Sequence, residues 1–348
     1  MKVELALKVE SPVHIGSGDL YVETDFVLEN GFVKVIDFEK LFEIVKLDDE
    51  KVESLIQIAK EGRVKNRVLN VLRIKDLEMP FSRKIKFVGE EPKESLKIFK
   101  HIESSGKAFI PGSSLKGFIR TALLFKFLQE NPEVLIRHFR DINEKIKIED
   151  KRKIDRKAIA KKIESEVFGS TPTKDALKYL RVTDSTFASQ TEVYRVIILG
   201  NPKVIPLYLE CIPHGETLRC EIEIVDKLYE TDGRIGKITP EDVFEAVKIF
   251  SKEIIKAEKN YRYPRETIEF YKKLEGKNVM RLGHSTGYFS KTIGLLLRDL
   301  GEFEGFRRKL GMGMNPVTKK FVSVFPKTRR VVEKGNLPLG WISYEVKK

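Results

Sequence analysis

Residues 2–18 read Lys2-Val3-Glu4-Leu5-Ala6-Leu7-Lys8-Val9-Glu10-Ser11-Pro12-Val13-His14-Ile15-Gly16-Ser17-Gly18. Val3, Leu5, Leu7 and Val9 fall at every second position, the period of a strand with one buried face. Pro12, Gly16 and Gly18 then break the pattern, so residues 11–18 read as a loop. The same alternation argues against a secretory signal, which needs an uninterrupted apolar run. A strand that opens directly into a glycine loop sets the theme for the rest of the chain.

Working outward, residues 24–28 and 32–36 read as a hairpin around Asn30-Gly31. Asp37 starts a short helix, and Asp48 starts another that ends at Gly62. Strands follow near 84–88 and 95–102, then a helix from about Ser114 to Gln129. Two polar helices continue to Phe168. Strand-like runs return near 178–183, 193–199, 203–210 and 217–225. Thr239-Pro240-Glu241-Asp242 is a helix start with a capping residue, a proline in the first turn and acids at the positive dipole end. Strands near 320–325, 328–332 and 341–346 finish the chain. This order is α+β without regular βαβ alternation. It fits two ferredoxin-like (RNA-recognition-like) units, residues 1–200 and 201–348. A helical insertion covers about 130–168, and the boundary falls near Gly200-Asn201-Pro202.

The chain has 348 residues with 65 Lys plus Arg against 52 Asp plus Glu, a net charge of +13. Hydrophobic residues make up 41%, enough to fill a core, which excludes general disorder. The excess charge is local. Residues 281–330 carry eleven basic and three acidic residues, a net of +8, whereas residues 201–280 carry fourteen and fifteen. Residues 137–162, with eleven basic and five acidic residues, read as a solvated helix face. A concentrated positive stretch on a globular chain points to a polyanion, nucleic acid first. Two cysteines exclude a disulfide scaffold, and no apolar run reaches a membrane span, so a soluble cytoplasmic protein is expected.

Four segments can carry this function. In Ile110-Pro111-Gly112-Ser113-Ser114-Leu115-Lys116-Gly117-Phe118-Ile119-Arg120, Ser113 or Ser114 is expected to cap a helix whose free N–H groups favour phosphate. Lys116 and Arg120 lie one turn apart near that end. In His14-Ile15-Gly16-Ser17-Gly18, glycines allow close approach of a ligand, and His14 can donate to phosphate. Arg281-Leu282-Gly283-His284-Ser285-Thr286-Gly287-Tyr288-Phe289, followed by Lys291, combines glycine, base and aromatic residues. Arg307-Arg308-Lys309-Leu310-Gly311-Met312-Gly313-Met314-Asn315-Pro316 combines glycine and base with an apolar side chain, Met312. Such loops follow a sugar-phosphate chain while Tyr288, Phe289 or Met312 meets bases.

Other chemistries fit less well. The helix start lacks a Gly-Lys-Ser/Thr closure, so it is not a nucleotide-hydrolysing loop, and no cofactor is called for. Cys211, His214 and Cys220 are spaced too loosely for a zinc site, and Cys220 reads as a core residue of a strand. Two nuclease readings stand as alternatives. His14 can serve as a general base toward a 2′-hydroxyl, or Asp25 with Glu23 can hold a divalent metal.

The three stretches His14 to Gly18, Ile110 to Gly117 with Arg120-Thr121-Ala122-Leu123-Leu124, and Lys309 to Gly313 resemble the RAMP superfamily of CRISPR proteins. Phe325-Pro326-Lys327-Thr328-Arg329-Arg330 and Leu337-Pro338-Leu339-Gly340-Trp341 look like the Csm subunit of type III-A effector complexes that caps the 3′ end of the guide RNA. The resemblance implies paired RNA-recognition-like domains and a non-catalytic, RNA-binding role in crRNA maturation and antiviral defence. It also implies partners: crRNA, target RNA, Csm backbone subunits and trimming nucleases. By motif, the implied RNA contacts are His14 to Gly18, Ser113, Ser114, Lys116, Arg120 and Lys309 to Gly313. In the related backbone subunit an Asp after the first strand cuts target RNA. Asp25 lies near that place, but its flanks do not match, and it is expected not to be catalytic.

Overall fold

The computed structural model describes residues 2–45, 50, 52–54, 56–57, 80–92, 96–148, 156–199, 206–225, 229–315 and 317–347. The expected helix of 48–62 and the expected boundary at 200–202 lie largely or wholly outside the described residues.

Two sheets organise the chain. The first is wholly antiparallel and centres on β1 (Lys2–Val9). One neighbour of β1 is β12 (Thr217–Ile224), with Leu5 opposite Cys220. The other is β15 (Trp341–Lys347), with Leu7 opposite Tyr344. The edges are β9 (Leu180–Val182) and β13 (Val279–Arg281). Helices α2 (Gly112–Glu130) and α5 (Pro240–Lys259) pack on it. In chain order β1, α2, β9, β12, α5 and β15 make the β-α-β-β-α-β series of a ferredoxin-like unit. Its core joins Leu5, Leu7 and Leu218 to Phe118, Phe125 and Phe250. The Phe250 ring lies 5.4 Å from Phe118 and 5.0 Å from Phe125, between centroids.

The second sheet has eight strands. Along its path run β2 (Gly16–Tyr21), β6 (Ile98–His101), β11 (Leu207–Cys211), β10 (Glu192–Leu199), β5 (Phe81–Val88), β4 (Phe32–Ile36) and β3 (Phe26–Glu29). The eighth, β14 (Arg329–Val332), pairs with β10. Its own core gathers Tyr21, Phe26, Val33, Ile85, Ile98, Val193 and Tyr208. Two short strands, β7 (Glu103–Ser104) and β8 (Lys107–Ala108), form a separate hairpin.

The remaining helices are α1 (Phe38–Val45), α3 (Pro132–Ile148), α4 (Arg156–Phe168), α6 (Arg265–Leu274), α7 (Gly294–Asp299) and α8 (Phe303–Lys309). Helices α3 and α4 occupy the stretch 130–168 where a helical insertion is expected. Helix α5 begins as its sequence dictates. Thr239 Oγ1 accepts from Asp242 N–H, Asp242 answers to Thr239 N–H, and Pro240 opens the first turn. No helix among the described residues is long and apolar enough to cross a membrane.

Four expectations are corrected. Residues 16–18 are not only loop but the start of edge strand β2, with an irregularity between Gly16 and Leu20 that glycine tolerates. Neither serine caps α2. Pro111 holds the cap position, and Gly112 N–H donates to Asp184 Oδ1 at 2.8 Å. A strand is not formed near 320–325, where only Phe321 bridges Met314. Finally, both sheets draw strands from either side of residue 200, so a division there is not a division between sheets.

Candidate nucleic-acid interface

A groove of about 370 Å³ opens where four segments meet. Ile15 and Gly16 enter it at the start of β2. Ser114, Gly117 and Thr121 form the outward side of α2. Gly283 and His284 follow β13, and Ser290 and Lys291 close a short 3₁₀ turn. The two loops are locked together, because His284 N–H donates to His14 O at 2.8 Å. That approach requires glycine at 283, where φ is +85° and a Cβ would stand 2.2 Å from His14 O.

Beneath the groove lies a buried polar network. His14 is 2% exposed, and its Nδ1–H donates to Glu210 O at 2.7 Å. The Glu210 carboxylate accepts from Arg83 at 2.6 Å, Thr191 Oγ1 at 2.8 Å and His101 N–H at 3.2 Å. The rings of His101 and His284 lie 6.0 Å and 5.9 Å from that of His14. Burial holds His14 below the ordinary imidazole value. His101 is held down to about 4 by burial, with His14 adding to the shift. His284 is held down to about 4 by burial, Arg330, His14 and Lys291. The network therefore stays neutral around pH 7 at all three rings and props the glycine loop from below.

The electrostatics of the rim decide what the groove can hold. Burial, Arg281 and Arg330 push the Lys291 ammonium below its ordinary value, and among the described residues no carboxylate pairs with it. Arg330 donates to Ser285 Oγ at 3.2 Å and lies 3.5 Å from His284 Nε2. Burial lowers its pKa as well. Two cations kept together without a counter-ion repel each other, and an arriving anion relieves that cost.

The sequence-predicted residues divide sharply. Gly16, Ser114, His284 and Lys291 line the groove, with Arg281 reaching its floor. His14 supports it from below. Ser17 and Gly18 continue along the exposed edge of β2, and Ser113 is exposed in the first turn of α2. Lys116 and Arg120 turn inward instead. Lys116 Nζ donates to Leu180 O at 2.7 Å. Arg120 pairs with Glu164 at 2.9 Å and Asp175 at 2.8 Å, above the Phe168 ring. Arg281 is buried against Glu258, which also takes Arg329 at 2.7 Å and the Tyr263 hydroxyl. Arg307 is wholly buried and binds Glu304, Met312 O and Val322 O. Arg308 pairs with Glu304, and Gly311 and Gly313 take positive φ values that fold this loop back on itself. Lys309 closes α8 away from the groove lining, and of that loop Leu310 and Met312 face the neighbouring apolar cavity.

Asp25 closes a turn, its carboxylate accepting from Val22 N–H at 2.8 Å and Thr24 Oγ1 at 3.1 Å. Glu23 accepts from Leu96 N–H. Cys211 and Cys220 lie in different sheets, and His214 binds Glu10 O. Among the described residues no group of three or more His, Cys, Asp and Glu is arranged for a metal. Sequence reasoning missed Arg330, which the basic run Lys327-Thr328-Arg329-Arg330 signalled. It also missed His101, Glu210 and the half-exposed Phe99, whose ring stacks on His284. Nothing local marks those three.

A ferredoxin-like sheet thus carries, beside its first strand, a basic groove in whose lining no carboxylate stands among the described residues. The chain belongs to the RAMP superfamily, whose family description matches residues 6–290. It is 28% identical to the CRISPR system Cms protein Csm5 of Methanocaldococcus jannaschii, over 98% of this chain and 88% of that protein. A Streptococcus thermophilus protein of the same description is 28% identical over 39% of this chain and 42% of its own length. Among solved structures, a chain of the Csm–crRNA–target RNA ternary complex of a type III-A CRISPR-Cas system superimposes with TM-score 0.81 and 28% identity. That match covers 99% of this chain and 100% of the other. The crystal structure of T. onnurineus Csm5 gives TM-score 0.72 and 26% identity, covering 97% and 99%.

Proposed function

We propose that this chain is a crRNA-binding structural subunit of a type III-A Csm effector complex. It caps the 3′ end of the guide RNA beside the Csm backbone subunits, close to target RNA, and assists guide maturation by engaging trimming nucleases. The observation that carries the reading is the rim of the groove: Lys291, Arg330 and His284 stand together with no acidic partner among the described residues. The glycine backbone at Gly16 and Gly283 and the hydroxyl of Ser114 supply the remaining phosphate-facing donors, while the buried Ser290 hydroxyl donates to Thr286 O. The likeness to the Csm relatives supports the assembly.

The role is binding, not cleavage. A general base must reach its proton. His14 is enclosed, with Nδ1 committed to Glu210 O and Nε2 turned to the Gly16 backbone, where a Cβ would stand 3.3 Å away. Replacing Lys291 and Arg330 by Ala tests the reading. RNA affinity should fall, and the log–log salt slope should shrink by about 0.7 for each phosphate that is no longer neutralised. An unchanged slope with a folded variant sinks it.

A further inference from the structure

We propose that an apolar cavity beside the groove seats one unpaired base of the bound RNA. This rests on the RNA-binding reading above and adds a second site to it. The cavity measures about 430 Å³ and lies between α2, the inserted helices α3 and α4, and the segment 288–312. Leu124, Phe139, Ile163, Tyr288, Phe306 and Met312 give its character, with the Phe139 and Phe306 rings 5.4 Å apart. Protein interiors close voids much larger than a water molecule. A space of this size falls within the range of ligand pockets, about 300–1,000 Å³.

Continuity with the groove identifies the occupant. Thr121 and Lys291 line both spaces. A phosphate drawn to Lys291 therefore holds its own nucleoside at the cavity mouth. A chain that is polyanionic outside and aromatic at every unit matches a cationic groove leading to an apolar chamber. The chamber offers few polar groups. Glu164 is already bound to Arg120, and the Thr121 and Thr292 hydroxyls donate to Gly117 O and Tyr288 O of the backbone. It can thus stack a base without reading its edge, which makes it tolerant of sequence. The insertion, whose charge suggested only a solvated face, forms the roof.

The test crosses a protein change with an RNA change. Ala160 lines the cavity and is solvent-exposed, so Ala160→Trp fills the space without removing a core side chain. The probes are a short oligouridylate and a sugar-phosphate chain of the same length without bases. Ala160→Trp should bind the oligouridylate about tenfold more weakly than the natural protein does, within what one stacked base contributes. Both proteins should bind the abasic chain alike. A 2-aminopurine strand should change its emission on binding the natural protein. Equal affinities on both chains, an equal loss on both, or a 2-aminopurine signal that the natural protein leaves unchanged overturns the seat and leaves the groove intact. Failure of the natural protein to bind either chain overturns the groove and the seat together.

Discussion

His101 and Glu258 show how far a single residue's role departs from its type. His101 is 1% exposed, its Nδ1–H donates to Ile102 O at 2.8 Å, and its Nε2 has no hydrogen-bond partner among the described residues. Held at about 4 against an unfolded value near 6.5, it stays neutral in the fold where the unfolded chain would bind a proton. The groups facing it are His14, Glu210 and Arg83. Stability is therefore complete above about pH 6.5 and falls as pH drops toward about 4, by at most about 1.4 kcal/mol per pH unit for one histidine. His101→Asn keeps a donor for Ile102 O but cannot titrate. Denaturant unfolding at a series of pH values should show a shallower loss in that window than the natural protein, and an identical slope refutes the assignment. Glu258 works in the opposite sense. Although burial opposes ionisation, Arg281 and Arg329 hold its carboxyl below the usual range, so two guanidiniums that look like RNA ligands are bound inside the core.

At the scale of elements, helix α2 is the clearest case of an element legible in the sequence whose side chains find partners that were not. Its apolar face was legible because Leu115, Phe118, Ile119, Ala122 and Leu123 repeat at helical spacing. The internal partners of its first turns were not legible, because Asp184, Glu164 and Asp175 are far away in sequence and reach it only through the fold. Gly112 shows the same limit: a Cβ there would stand 2.2 Å from Val182 O, so the glycine serves close packing of the helix start. Lys116 and Arg120 staple α2 to α4 and to the 175–182 segment. Lys116→Ala with Arg120→Ala should lower unfolding stability by roughly 1–3 kcal/mol, the range for lost charged hydrogen bonds. RNA affinity per folded molecule and the salt slope should stay as they were. A smaller salt slope with unchanged stability would return these two residues to the interface. The loops at 14–18 and 281–291 were legible for the opposite reason, since glycine beside base is a local signal. Their meeting through His14 O and His284 N–H was not.

The whole molecule is interleaved, and this is where the reading from sequence and the architecture part most. Alternation and helix-start signals are local, so most strand and helix positions came through, the strand near 320–325 and the serine cap of α2 excepted; strand neighbours are set by long-range pairing, which no local signal carries. β1 lies between β12 and β15, while β10 lies between β11 on one side and β5 with β14 on the other. Helix α2 covers its sheet together with α5, and the Phe118, Phe125 and Phe250 rings form one cluster across them. Cutting the chain at the expected boundary thus removes both neighbours of β1 and uncovers Leu5, Leu7 and Val9. Each of these side chains contributes about 1.5–3 kcal/mol when buried, and total stability is only about 5–15 kcal/mol. Residues 1–199 and 206–348, produced separately, should each lack a cooperative unfolding transition. Mixed or co-expressed, they should recover it together with RNA binding, because the groove takes Gly16 and Ser114 from one fragment and His284 and Lys291 from the other. Near-UV circular dichroism with thermal melting reads both outcomes. A cooperative melt of residues 1–199 alone would mean that β1 and α2 find enough partners within the first half, and the interleaving would then be a matter of assembly rather than of folding.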